Sequence, residues 1–547
     1  MLRPDSRPGA PVRIPAALAC TVVFALGLAR DAHGQDSRLP DIGSSAGEVV
    51  DPATEARYGA YVLYELRRMG LVLEDPLLDG WLQGMGYRLV AASDTPNQDF
   101  TFFMMRERQI NAFATLGGYI GVNSGLVLTA ESEGEVASVM AHEIAHVSQQ
   151  HVLRGIERAK RDQVPILLAM LGAIAASQAI NTDSRTDNSR SNASAAAVAG
   201  AMALIQQRQI DYTRSNESEA DRIGIQTLAR AGYPPEAMGD FFERMQRAYR
   251  SNSGGYQLPE YLRTHPVTIT RISEARQRAA QLAAAGPGAS PSPSPGVVSP
   301  LLPDRYRLSG AGLGQQSPGD QFEWARERLR VLSASDAKAA VREYEALAGA
   351  PGARPSDPRR YGLALARVRA GDPDLAIGEF EELLARHPGH LWIELALAEA
   401  LARAGREGEA TERFERLLRR HTGSRAVRLA YADVLGERGT AASGRRAQEV
   451  LRPLLAESGD DPLFQRSFAR ACELAGDLVR AGEAHAEAAF LTGRAIDALG
   501  LLDRLLKEED LDYYQRARIE ARIAAITPYV LEMRRRGIEP GRQPAGP

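Results

Sequence analysis

The chain has 547 residues, too many for a single domain, and its apolar content of 44% is ordinary for a globular protein. Its net charge of −3 and pI near 6.4, without a basic patch that alternates with aromatic residues, give no electrostatic reason to expect a nucleic-acid-binding protein. We therefore expect a multidomain globular protein with no nucleic-acid partner.

The N-terminus has the pattern of a secretory signal. Three arginines precede an apolar run from Ile14 to Ala29, and small residues follow up to Gly34. This pattern predicts a signal peptide over residues 1–34, cleaved near Gly34. The alternative is a retained membrane anchor, but a run of about 16 residues is short for a membrane span. Cleavage would leave Cys472 as the only cysteine, so no intramolecular disulfide is expected.

The next part of the chain combines helices with a small sheet. Residues 51 to 94 carry apolar side chains at helical intervals, and residues 100 to 128 are rich in strand-forming residues. Gly117 and Gly118 permit a tight turn between two of the strands. We expect the second of these two strands to be an exposed edge beside the helix that follows.

That helix carries the motif His-Glu-Ile-Ala-His at residues 142 to 146. A capping box begins at Ser132, and apolar residues then recur at helical spacing, which predicts a half-buried helix. Histidines four residues apart project from one side of a helix at a spacing that suits one zinc ion. We therefore predict His142 and His146 as zinc ligands and Glu143, beside the metal, as the general base that activates water.

A third zinc ligand is expected downstream, because the motif supplies only two. Position 152 is not a histidine, and His151 is predicted to be a surface residue. Glu217 and Asp221 share one face of a later predicted helix, where Glu217 can ligate zinc and Asp221 can accept the free N–H of a zinc-bound histidine. Glu219 would face away from the metal. Such an acidic run can also be a solvated helix face, but the neighbouring motif favours metal binding.

Residues 164 to 205, between the two motifs, contain two apolar stretches separated by a polar tract. The first stretch, of about 17 residues, is marginal as a membrane span. We predict a helical hairpin that packs on the catalytic core, or that contacts a membrane surface or an unfolded client. The sequence leaves these alternatives open.

These motifs together resemble the zinc metallopeptidase family of HtpX and the CAAX prenyl proteases. The resemblance spans residues 50 to 280 and implies an α+β zincin-like domain, mostly helical with a small sheet, in which Glu217 is the third zinc ligand. The matching segments are His142 to His146, Glu217-Ser-Glu-Ala-Asp221, Asn111-Ala-Phe-Ala114, and Thr264-His265-Pro266 followed by Arg271.

In organisation the chain is similar to the BepA/YfgC-type members, which are periplasmic and are linked to quality control of outer-membrane protein assembly. The resemblance implies that His265 can fill a fourth zinc position and hold the enzyme inactive; a loop histidine that caps the next helix is the alternative. It also implies Arg271 and Asn111 as substrate or oxyanion contacts. Substrate would bind as an added strand on the sheet edge, through backbone hydrogen bonds.

A linker rich in Pro, Ser and Gly at residues 286–318 separates this part from a repetitive region. Small and apolar positions recur there after 34 residues, which is typical of tetratricopeptide repeats. The recurring positions include Gly371, Ala376 and Phe380, which return as Gly405, Ala410 and Phe414. We predict an all-α tetratricopeptide-like solenoid over 319–534 and a disordered tail over 535–547; an irregular helical bundle is the alternative.

The sequence thus predicts a periplasmic zinc endopeptidase whose catalytic domain covers residues 35–285 and holds one Zn²⁺. Its expected substrates are unfolded or misassembled proteins, with the repeats recruiting clients or the outer-membrane assembly machinery. A chaperone-like binding module with a latent or structural zinc site is the alternative function. The intact Glu143 favours catalysis, because a purely structural metal site needs no base.

Overall fold

The computed structural model describes residues 51–158, 212–251, 260–284, 321–348 and 355–535. The predicted signal peptide, the hairpin at 164–205, the linker and residues 536–547 of the predicted tail lie outside the described residues, and so do the predicted domain boundaries at the linker, which stay predictions. In the described parts of the chain, every helix is too short or too polar to span a bilayer.

Two capped helices open the described chain, as predicted for residues 51 to 94. Helix α1 covers Pro52–Arg68 and helix α2 covers Pro76–Ala91. Each follows an aspartate whose side chain accepts a backbone N–H from the first turn, and each begins with a proline, which has no N–H to leave unpaired. Helix α2 is buried along most of its length, and its apolar side chains belong to the main hydrophobic core.

A three-stranded sheet follows, with strands β1 (Thr101–Met105), β2 (Ala112–Ala114) and β3 (Tyr119–Asn123) in the order β1-β3-β2. Strand β3 pairs in parallel with β1 and antiparallel with β2. The expectation that the second strand of the pair would be an exposed edge is therefore wrong: β3 is central, because β1 pairs with its other side, and β1 and β2 are the outer strands. A turn of 3₁₀ helix, Leu116–Gly118, joins β2 to β3.

The turn before β3 requires its glycines, as predicted. Gly117 and Gly118 have φ of 73° and 78°, a region that residues with a side chain rarely adopt. A Cβ on Gly118 would also lie 2.2 Å from the carbonyl oxygen of Asp99. The glycine pair therefore allows the strand to enter the centre of the sheet.

Helices α3 (Ser124–Thr129) and α4 (Glu133–Ser148) lead from the sheet to the predicted metal site. The Ser132 side chain caps α4 by accepting the N–H of Glu135, as predicted, while the Glu135 carboxylate accepts the N–H of Glu131. Helix α4 is buried on all sides over residues 133–145, more deeply than the predicted half-buried helix, because α2, the sheet and a later helix all pack on it.

The remaining described part of the chain before the predicted linker is helical. Residues 151–158 form α5 and residues 212–230 form α6. They are followed by α7 (Glu236–Ser251), α8 (Glu260–Thr264) and α9 (Ile269–Ala284). Helix α7 packs on both α4 and α9, so the segment between α8 and α9 is held close to the motif helix.

The repeat region consists of helices that pack on their neighbours in the chain, which confirms the predicted all-α array. Gly371 and Gly405, which are 34 residues apart, both adopt positive φ, 97° and 76°, at the ends of helices. The described helices are α10 (Phe322–Leu332), α11 (Ala337–Ala348), α12 (Asp357–Ala370), α13 (Pro373–Arg386), α14 (Leu391–Arg403), α15 (Glu407–Arg420), α16 (Arg425–Glu437), α17 (Ala441–Leu451), α18 (Pro462–Ala475), α19 (Leu478–Leu491), α20 (Ala495–Leu505) and α21 (Tyr513–Arg535).

The repeat helices dock directly on the helices of the first region. Those up to α19 share one hydrophobic core with that region, and the last helices form a second cluster. Near the start of the array, Arg328 binds the Asp75 carboxylate with two hydrogen bonds, of 2.8 and 2.6 Å, and both side chains are buried. Near its end, Arg67 on α1 donates to the carbonyl oxygen of Leu491. The contact between the two regions therefore extends along the array and is not limited to the linker.

Substitution of Arg328 should test whether this docking stabilises the chain. Arg328→Ala leaves the buried Asp75 carboxylate without its cation, so we expect the free energy of unfolding to fall by about 3–5 kcal/mol. Urea unfolding followed by circular dichroism measures it, with Arg342→Ala on the exposed face of α11 as the control. A loss no larger than that of the control would show that the ion pair does not stabilise the docked arrangement.

Candidate metal centre

Four predicted site residues converge in one cluster. His142 and His146 come from α4, Glu217 from α6 and His265 from the segment after α8, and their ligand atoms all lie within 4.8 Å of one another. The Nε2 atoms of His142 and His146 are 3.0 Å apart, and each lies 3.4 Å from a carboxylate oxygen of Glu217. The structure thus brings together two helices that are distant in sequence.

The dimensions of the cluster fit a zinc ion. Tetrahedral zinc with bonds of about 2.0–2.1 Å places neighbouring ligand atoms about 3.3 Å apart. The separations of 3.0 and 3.4 Å between the histidine and glutamate atoms match this spacing. Imidazole nitrogens with a carboxylate oxygen are also a ligand set that zinc prefers. The residues present therefore fit one zinc ion.

The buried carboxylates of the cluster also favour a bound cation. Burial alone would lower the pKa of His142, but hydrogen bonds and charges from Asp221 and Glu217 raise it to about 10. Burial alone would raise the pKa of Glu217, but hydrogen bonds from the surrounding histidines hold it well below its usual range. A proton on His142 thus balances the buried carboxylates in the metal-free site, and a divalent cation can take over that role.

Asp221 supports His142 from behind, as helical spacing predicted. Its Oδ1 lies 2.9 Å from His142 Nδ1, the ring nitrogen that faces away from the cluster. Arg271 donates two hydrogen bonds to Asp221, of 2.7 and 2.8 Å, and a third to the carbonyl oxygen of Pro266. Its Nη1 also lies 2.9 Å from Glu217. These contacts position the carboxylates and the segment of His265; the predicted substrate or oxyanion contact of Arg271 stays a prediction.

Glu143 lies beside the cluster with an unpaired carboxylate oxygen. The residue is 1% exposed, and its Oε1 has no hydrogen-bond partner among the described residues. Its Oε1 lies 3.7 Å from Nε2 of His265. Since a buried polar atom without a partner costs free energy, the position indicates a functional group, consistent with the predicted general base.

His265 lies at the fourth corner of the cluster. Its Nδ1 is 3.4 Å from His142 Nε2 and 2.9 Å from Glu217 Oε1, and its ring stacks on Tyr261 with centroids 4.8 Å apart. Asn111, the residue before β2, is buried, with a side-chain oxygen that lacks a partner among the described residues. The inhibitory role of His265 and the substrate contact of Asn111 stay predictions.

The prediction that His151 is a surface residue is wrong. His151 is 5% exposed, and its Nδ1 lies 2.8 Å from Nδ1 of His146. Helix α4 ends at Ser148, and Gln150 has φ of 53°, so the chain turns and the helical register cannot be extended to residue 151. The sequence indicated only that a histidine lies close to the motif. The direction of its side chain depends on the turn at Gln150, which the sequence did not predict.

Gly224 is a second residue that sequence reasoning missed. A Cβ at this position would lie 3.1 Å from the backbone nitrogen of His142, so a side chain there would push α6 away from α4. The small residues Ala145 and Ala220 pack with Ile223 in the same contact. The available signal was a glycine inside the predicted helix, three residues after Asp221.

Comparisons with known proteins agree with this site. Residues 76–279 match the model of Peptidase family M48, and residues 367–434 match a tetratricopeptide repeat model. The predicted family resemblance is therefore confirmed, together with the predicted fold class of a zincin-like domain followed by tetratricopeptide repeats.

The chain is also similar to individual proteases of known name. The chain is 42% identical over 264 residues to the putative beta-barrel assembly-enhancing protease of Vibrio cholerae and 33% identical over 361 residues to the beta-barrel assembly-enhancing protease of Escherichia coli. These matches cover 48% and 65% of this chain, and 52% and 64% of the relatives. A shorter match, 30% identical over 198 residues and 35% of each chain, is to the mitochondrial metalloendopeptidase OMA1 of Arabidopsis thaliana.

Substitution of Glu217 and of Asp221 should distinguish a metal ligand from a residue that only orients a ligand. Glu217→Ala deletes a cluster atom, so we expect zinc affinity to fall by more than about 100-fold, whereas Asp221→Ala should lower it by about 10–100-fold. Competition with a chromophoric chelator measures both, and Glu236→Ala, an exposed residue at the start of α7, is the control. Wild-type affinity in Glu217→Ala would show that another residue is the third ligand.

Proposed function

We propose that this chain, whose residues 76–279 form an M48 peptidase domain, is a zinc-dependent endopeptidase. The observation that carries the proposal is the cluster of three histidines and a glutamate beside the buried Glu143, whose Oε1 has no hydrogen-bond partner among the described residues. When bound there, zinc polarises a scissile carbonyl and lowers the pKa of water toward neutrality.

The protein groups divide the work of hydrolysis. His142, His146 and Glu217 hold the ion, and Asp221 orients His142. Glu143 takes a proton from the attacking water through its free oxygen and later donates it to the leaving amine. Because Glu143 is 1% exposed, its carboxylate is screened from bulk solvent, which strengthens its interaction with the reacting groups.

His265 makes the resting enzyme latent in this proposal. Its Nδ1 lies within 3.4 Å of His142 Nε2 and 2.9 Å of Glu217, where it takes the position that a substrate carbonyl or water would need. Activation then requires His265 to move away. The geometry also supports the alternative of a binding module with a latent metal site, and the unpaired oxygen of Glu143 favours the protease.

We further propose unfolded or misassembled proteins of the cell envelope as substrates, in a periplasmic location reached after cleavage of residues 1–34. The names of the relatives from Vibrio cholerae and Escherichia coli, which both contain the words beta-barrel assembly-enhancing protease, support this substrate class. The repeats would recruit clients or the outer-membrane assembly machinery. Their helices α15 to α17 enclose a groove of about 500 Å³ lined by charged side chains and Tyr431, which offers one binding surface.

Glu143→Gln should keep zinc and lose hydrolysis, because the amide cannot accept the proton and the metal ligands are untouched. We expect casein cleavage to fall by about 10²–10⁴-fold, with zinc content unchanged by atomic absorption. The matched control is Glu236→Gln on the surface. Loss of zinc together with activity would instead assign Glu143 a part in metal binding, and full activity would reject it as the base.

His265→Ala should raise proteolysis, because it opens the fourth position of the cluster while three ligands remain. The measurement is the initial rate of casein cleavage at equal zinc content, and Glu143→Gln combined with His265→Ala is the control for contaminating proteases. An unchanged or lower rate would contradict the latent-enzyme proposal and support a helix-capping or substrate-binding role for His265.

A further inference from the structure

The two histidines of the motif helix have different partners behind their rings. Both direct Nε2 toward the cluster, which leaves Nδ1 for support. Nδ1 of His142 lies 2.9 Å from the carboxylate of Asp221. Nδ1 of His146 lies 2.8 Å from Nδ1 of His151, with the two rings nearly perpendicular at a centroid distance of 4.7 Å. His146 is thus supported by an imidazole.

The contact continues from His151 toward the surface. The Nε2 atom of His151 lies 3.2 Å from Oε2 of Glu219, and Arg154 donates a 2.8 Å hydrogen bond to the same oxygen. His151 is 5% exposed, while the side chain of Glu219 is 30% exposed. A continuous chain of hydrogen bonds therefore connects a partly exposed carboxylate to a residue of the metal cluster.

The hydrogen-bond roles in this chain are determined from its outer end. An ionised carboxylate can only accept, so the hydrogen between His151 and Glu219 belongs to Nε2 of His151. The neutral imidazole then has a lone pair at Nδ1, which accepts the N–H of His146 Nδ1. His146 is left with a lone pair at Nε2, the atom that faces the cluster.

We infer that His151 is the positioning residue of His146: supported by Glu219, it selects the ring orientation and the tautomer in which His146 can bind a metal. The inference rests on the proposed zinc site. The two ligands differ in their support, because an anionic carboxylate makes an imidazole a stronger electron donor than a neutral imidazole does.

The backbone before His151 adopts an unfavourable conformation that brings this histidine to His146. Gln150, the residue before His151, has φ of 53°, a region that residues other than glycine rarely occupy and that costs free energy. This turn redirects the chain after α4, so that His151 can return to the ring of His146. The neighbouring Val152 is 41% exposed, so His151 lies on the buried side of α5.

The test compares metal binding in the full-length protein carrying His151→Leu, His151→Asn or His421→Leu. Leucine fills the space without a lone pair, while the asparagine side-chain oxygen lies near the place of Nδ1 and can accept the same hydrogen bond. His421 is a histidine of the repeat region that is 6% exposed and matches His151 in burial. The readouts are zinc affinity by chelator competition and the visible absorption spectrum of the Co²⁺-substituted protein.

We expect His151→Leu to lower zinc affinity by about 10–100-fold and to change the Co²⁺ spectrum, because the geometry around His146 is no longer held. His151→Asn should recover most of both, and His421→Leu should leave both unchanged. Should His151→Leu fail to fold, Glu219→Ala provides the same readouts with a partly exposed residue, and a smaller fall in affinity is expected.

Wild-type affinity and spectrum in His151→Leu, or in Glu219→Ala if the former does not fold, would overturn the inference. So would an asparagine variant no better than leucine, since a merely space-filling histidine would give that result. Absence of zinc binding in the unaltered protein would overturn the proposed function as well, which distinguishes the two failures.

Discussion

The structure depends on the neutralisation of two buried carboxylates, Glu217 and Asp221, by His142 of a neighbouring helix and by Arg271 of α9. Buried charge is costly unless it is paired, and here helix α6 supplies both negative groups while α4 supplies the imidazoles that face them. Arg271 completes the pairing by binding Asp221 with two hydrogen bonds. Separation of α4 and α6 would leave buried charges without partners. The same pairing therefore stabilises both the site and the fold around it.

The close approach of the two helices follows from small residues in their contact. Gly224 leaves space for the backbone of His142, and Ala145 packs against Ala220. Behind the contact, each histidine of the motif has its own support: Asp221 for His142 and His151 for His146. Asp221 and His151 thus each restrict the orientation of one of the two histidine rings. Such restriction favours one metal geometry over a flexible set of ligands.

The repeat region contributes to the same body. Its helices share a core with α2, and the buried pair of Arg328 and Asp75 connects the first repeat helix to the start of α2. Helix α2 in turn packs against α4, the helix that carries the motif. A displacement of the repeats would thus be transmitted through α2 to the metal site. The repeat array is therefore connected to the site through the packing of α2 against α4.

Periodic patterns allowed much of the protein to be predicted from its sequence. The spacing of His142 and His146, and that of Glu217 and Asp221, depends only on the pitch of a helix, so their shared faces follow from local structure. The helical array similarly follows from a recurrence of 34 residues. The glycine pair before β3 was recognised because positive φ is a local property.

Only the tertiary structure decided how these elements meet. His151 is buried because one unusual turn at Gln150 redirects the chain, and β3 is central because β1 pairs with it from an earlier part of the sequence. The contact of α6 with α4, the position of His265 and the docking of the repeats likewise join residues that are far apart in the chain. Such contacts depend on how side chains of different helices and strands pack together. The hydrophobic periodicity of a single segment does not contain that information.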